Sequence, residues 1–84
     1  MEQRILKGDK VMIHTIKKIL GEFSGMDYKL VTNDMNLKDD LYLDDSDLDD
    51  VLNEIEDLFG FEFNERDTEL IYVSDLIAFV KTAI

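Results

Sequence analysis

Ser46 lies in the most acidic stretch of this 84-residue chain, where ten Asp and Glu and no Lys or Arg fall between Asp39 and Asp57. A serine becomes a catalytic nucleophile only when a base takes its proton, and no histidine stands at a believable separation from it. There is no cysteine to serve instead. The carboxylates do not make an acid/base pair on a solvated helix with no pocket to split their pKa values, so no enzyme is expected. A cation site also has to be weighed, because Asp45, Asp47, Asp49, Asn53 and Glu56 occupy the first, third, fifth, ninth and twelfth positions of a candidate calcium loop. The sixth position is Asp50 rather than the glycine that permits the sharp turn. The same residues show an uninterrupted helical period at Leu48, Val51, Leu52 and Ile55. A helix is the expectation, with no dedicated metal site and only loose divalent-cation binding by clustered acids. The one histidine, His14, has no ligand cluster around it and reads as a helix-surface residue.

A hydroxyl among acids can still accept a covalent group or cap a helix, and which of these it does depends on the elements that hold it. Leu48, Val51, Leu52, Ile55, Leu58 and Phe59 share one face of a helix closed by Gly60, with Asp49, Asp50, Asn53, Glu54, Glu56 and Asp57 largely opposite. Asp45 or Ser46 can cap its start, Ser46 with Asp49 as a weak capping-box partner. Met12, Ile13, Ile16, Ile19, Leu20 and Phe23 give an earlier helix from about Lys10 to Ser24, stopped at Gly25. Between the two, Met26 to Asp45 has no helical period. Leu30, Val31, Leu37, Leu41 and Leu43 are spread so that each pins part of this loop to the core, while Asn33-Asp34 and Asn36 supply turns. Phe61 and Phe63 flank Glu62 in an extended link, Arg66 to Ile71 reads as a short helix, and Ser74 caps a last helix that turns Leu76, Ile77, Val80 and Ile84 inward. The architecture expected is all-α: a small four-helix bundle of three longer helices and one short one, with a long first loop.

Size and charge bound the function. The chain fits one small domain, residues 1–84, with stability on the order of 5 kcal/mol. Residues 1–38 carry seven Lys/Arg against five Asp/Glu, a charge of +2, whereas residues 39–84 carry two against fifteen, a charge of −13. So acidic a surface repels nucleic-acid phosphates and suits a basic protein surface. The N-terminus lacks the apolar core of a signal peptide and no apolar run is long enough to insert in a membrane. A soluble, cytoplasmic monomer is expected.

Asp39-Asp40-Leu41, Asp44-Asp45-Ser46-Asp47, Glu54-Ile55-Glu56-Asp57-Leu58-Phe59-Gly60 and Val73-Ser74-Asp75-Leu76 together resemble the acyl carrier protein family, over nearly the whole chain from about Lys10 onward. The fold this implies is the helical bundle with a long first loop. The function it implies is carriage of acyl, peptidyl or related thioester intermediates, as in fatty acid or polyketide biosynthesis, on a 4'-phosphopantetheine arm esterified to the serine of an Asp-Ser-Leu motif. The implied partners are a phosphopantetheinyl transferase and basic-surfaced acyl-transfer or synthase enzymes, which would meet Asp47, Asp50, Glu56 and Asp57. Three positions depart from the family pattern. Tyr42 stands in place of a glycine, Asn53 stands where many members present an apolar contact residue, and ungapped matching on both sides puts Asp45 in the serine position. Two readings stay open: attachment at Ser46 after a one-residue shift at the helix entrance, or a carrier-like interaction module with no prosthetic group, Asp45 occupying the attachment position.

Overall fold

The computed structural model describes residues 9–63 and 69–83. Over these it is a small all-α domain of three helices and a 3-10 turn: α1 (Asp9–Ser24), the turn Tyr28–Leu30, α2 (Asp45–Phe59) and α3 (Val73–Ala83), with one isolated antiparallel bridge, Asn36 to Tyr72, and no strand among the described residues. The expected helix over 66–71 is not found where it can be checked. Glu69, Leu70 and Ile71 are non-helical, and Arg66 to Thr68 lie outside the described residues, as do Met1 to Gly8 and Ile84.

Each helix contributes one apolar stripe to a single core: Met12, Ile16, Ile19 and Leu20 from α1, Val51, Leu52 and Ile55 from α2, Val73, Leu76, Ile77 and Val80 from α3. These are the positions that the three- and four-residue spacings predict, since such spacings bring side chains onto one side of a 3.6-residue turn. Burying each removes about 1.5–3 kcal/mol of apolar exposure. The stripes are narrower at their ends than expected. Phe23, in the last turn of α1, sits at the solvent edge, and Leu58, near the end of α2, is 56% exposed. Leu48 and Phe59 are half-buried against the core.

Both glycine stops take left-handed backbone, Gly25 at φ 77° and Gly60 at φ 74°. Such values suit a residue without a Cβ, and the Gly60 N–H returns to the Glu56 carbonyl at 2.8 Å to close α2. Gly21 does something different inside α1. A Cβ there would stand 2.6 Å from the Met26 carbonyl oxygen and 3.2 Å from the Tyr28 Cα, so glycine lets the 3-10 turn fold tightly back along the helix. Gly21→Ala is therefore expected to destabilise the domain by about 1–3 kcal/mol of overpacking, more than the up to ~1 kcal/mol that alanine gains over glycine in a helix. Urea unfolding measures this, and a variant as stable as the parent would show that the turn can move away.

The loop after α1 is part of the core. Val31, Leu37, Leu41 and Leu43 are buried as expected, but Leu30 is 60% exposed. The 3-10 turn, which Asp27 caps by accepting from the Lys29 N–H at 3.0 Å, turns its last residue outward and the next one in. Asn36 organises the following bend. Its side-chain oxygen accepts from the Lys38 and Asp39 N–H groups at 2.9 and 2.8 Å, and Asp40 returns a carboxylate to the Asn36 N–H at 2.8 Å. Backbone bonds from Leu37 to Ile71 (2.8 Å), from Val73 to Met35 (2.9 Å) and from Ser74 to Asn33 (2.9 Å) then tie the loop to the start of α3. Ser74 is thus inside the helix and is not its cap. Asp75, the third helical residue, reaches back to the chain ahead of the helix, its carboxylate accepting from the Ile71 and Tyr72 N–H groups at 3.1 and 2.9 Å, which is the N3 half of a capping box.

Tyr42 has φ 60°, the one left-handed residue other than glycine among those described. A side chain in that conformation crowds its own carbonyl, at roughly 1–2 kcal/mol.

Candidate functional site

The site is the entrance to α2, where the loop delivers its last buried anchor, Leu43, and the helix begins at Asp45. Asp44 is the N-cap, correcting the expectation of Asp45 or Ser46. Its carboxylate accepts from the Asp47 N–H at 2.8 Å, and Asp47 accepts in return from the Asp44 N–H at 3.2 Å. The box therefore pairs Asp44 with Asp47, and Asp49 has no part in it. Burial of Leu43 selects this register, because it leaves Asp44 as the first residue free to take extended backbone beside the helix. Acids in the first turn then lie against the positive end of the helix dipole.

Asp45 is the first helical residue and Ser46 the second. Asp45 projects into solvent, its side chain 89% exposed, and pairs at 2.8 Å with Lys38 from the preceding loop. Hydrogen bonding and charge from Asp45 hold the Lys38 ammonium above its ordinary pKa. Ser46 is exposed, and no hydrogen bond engages its hydroxyl among the described residues. A cavity of about 320 Å³ opens beside the pair, lined by Lys38, Asp45, Asp49 and Glu69 around an apolar floor of Leu48, Leu52 and Leu70.

The four acids assigned to partner contact divide into two kinds. Asp50 and Asp57 are exposed, and among the described residues neither carboxylate takes part in a hydrogen bond or ion pair. Asp47 and Glu56 are half-buried and serve the fold. Asp47 completes the capping box, and Glu56 accepts from the Phe63 N–H at 2.7 Å across seven residues. That bond seats the link after α2, where Phe63 stacks on Phe79 at 4.7 Å between centroids and meets Phe61 edge-on at 4.9 Å. Glu56 could not have been recognised as structural from spacing, since its partner lies in a segment without period.

The candidate calcium loop is helical throughout, Asp45 to Glu56 lying within α2, so the sharply turned loop that wraps a calcium ion is not formed. Among the described residues no group of His, Cys, Asp or Glu is arranged to hold a metal ion. His14 lies on the surface of α1 with its ring edge-on to Tyr28 at 4.9 Å. No helix among the described residues is long and apolar enough to cross a membrane. No model of a known protein family matches the chain.

Proposed function

We propose that the chain is a carrier protein of the acyl-carrier type, with Ser46 as the attachment residue and α2 as the surface its partners meet. The observation that carries this reading is Ser46 itself: an exposed hydroxyl in the first turn of a helix, engaged by no other group among the described residues. A transferase needs such access, because only a free hydroxyl can displace adenosine 3',5'-bisphosphate from coenzyme A and form the phosphodiester. A 4'-phosphopantetheine arm held there supplies a thiol that carries an acyl group as a thioester. The residues of the chain orient and deliver. Exposed Asp50 and Asp57 draw in a basic partner, and the cavity floored by Leu48, Leu52 and Leu70 lies beside the same entrance. The left-handed backbone at Tyr42, where the family pattern has glycine, supports the resemblance independently of the serine.

A second reading rests on a different observation. Asp45 is the ungapped equivalent of the family's attachment serine, and buried Leu43 and the Asp44–Asp47 box, which hold the chain ahead of α2, support leaving it there. Under that reading the protein is a carrier-like interaction module without a prosthetic group. The two part on a single experiment: intact mass after incubation with coenzyme A and a broad-specificity phosphopantetheinyl transferase, for the wild type, Ser46→Ala and Asp45→Ser. The carrier reading expects the wild type to gain one phosphopantetheine and Ser46→Ala none. An inert wild type with Asp45→Ser labelled at residue 45 would instead establish the module.

A further inference from the structure

Tyr42 combines three properties that the fold does not require. Its backbone is left-handed, which a glycine would adopt freely. Its side chain is 80% exposed. Its ring makes no stacking, edge-on or cation–π contact among the described residues. The backbone on both sides is nevertheless clamped: Leu41 and Leu43 are buried, their N–H groups bonded to the Asn36 and Leu37 carbonyls at 3.1 Å each. The ring is thus presented outward from a rigid base. Strain at a position that glycine would relieve points to a use for the side chain rather than to packing.

An aromatic ring held this way loses little freedom on binding, since only its two side-chain torsions remain to be ordered, and tyrosine is enriched among the few residues that dominate interface energies. The surroundings select the partner. Asp39, Asp40 and Asp44 are exposed within three residues of Tyr42, while the nearest base in sequence, Lys38, is already paired with Asp45. Asp40 and Asp44 accept backbone hydrogen bonds but keep their charge at the surface. We infer that Tyr42 is the anchor of a protein-docking surface whose partner presents an apolar pocket ringed by lysine or arginine. This surface is the end of the loop ahead of α2, not the face of α2, and it depends on neither Ser46 nor an arm.

The test selects short random peptides by display on the wild-type protein and measures the winners against Tyr42→Gly and Tyr42→Phe. Selected peptides should combine lysine or arginine with bulky apolar residues, bind Tyr42→Phe within about threefold of wild type, and bind Tyr42→Gly about tenfold or more weakly. Tyr42→Gly should melt at or above the wild-type temperature, which separates lost binding from lost structure. Tyr42→Asn, whose residue also tolerates left-handed backbone, repeats the measurement if the glycine variant fails to fold. Peptides that hold Tyr42→Gly as tightly as wild type, peptides without basic residues, or a selection yielding no binder overturn the inference. So does a melting temperature lowered in both variants, which would make the ring a packing residue.

Discussion

Leu41→Ala is expected to remove most of the stability of the domain, although residue 41 belongs to no helix. Its side chain is wholly buried in the core shared by α1, α2 and α3. Truncating a buried leucine costs about 2–5 kcal/mol through lost transfer energy and the cavity left behind, against a total on the order of 5 kcal/mol for a chain of this size. The urea midpoint should fall by about half or more with little change in slope. Leu30→Ala serves as the control, because that leucine stands in solvent a few residues earlier in the same loop and its loss should stay within about 0.5 kcal/mol. Equal behaviour of the two would mean that the loop is a covering and not a structural layer.

The second large effect separates two acids on one helix. Glu56→Lys should destabilise by about 2–3 kcal/mol, since it removes a charge-assisted hydrogen bond and leaves the half-buried Phe63 N–H without its acceptor. Near-ultraviolet circular dichroism from the Phe61, Phe63 and Phe79 cluster should change with it. Asp50→Lys should leave stability within about 0.5 kcal/mol, because Asp50 is exposed and unengaged among the described residues. Its effect belongs to docking: slower association with a basic partner, with the difference from wild type shrinking as salt rises. Association unchanged by Asp50→Lys and insensitive to salt would return the acidic face of α2 to a solubilising role.

What could be read from the sequence was what repeats. The buried stripes of α1, α2 and α3 follow from spacings of three and four, and Gly25 and Gly60 stop helices because left-handed backbone favours a residue without a Cβ. Capping was only half legible, for a physical reason. Asp44, Asp45, Ser46 and Asp47 are all competent caps, and the burial of Leu43 decides among them. Ser74, a competent cap by residue type, lies inside α3 instead, its N–H bonded to the Asn33 carbonyl. Leu30 and Val31 are adjacent in a turn with no period, so only packing tells which one goes in. At the candidate site, the exposure of Ser46, Asp50 and Asp57 was legible as the polar side of α2. The tertiary duties of Asp47 and Glu56, and the Lys38–Asp45 pair, were not.

The bonds joining residues 33–37 to residues 71–74 have a consequence for the protein during its synthesis. The loop is made well before the groups that moor it, residue 37 before residue 71 and residue 33 before residue 74. Until residues 71–74 have emerged, Leu37 lacks the Ile71 carbonyl to which its N–H bonds, and Leu41 and Leu43, whose N–H groups bond within the loop, lack the α3 side chains that complete their core. A growing chain in which α2 has emerged and α3 has not therefore carries an acidic helix beside an incompletely buried apolar loop, and the like charge of α2 opposes association with neighbouring nascent chains at that stage.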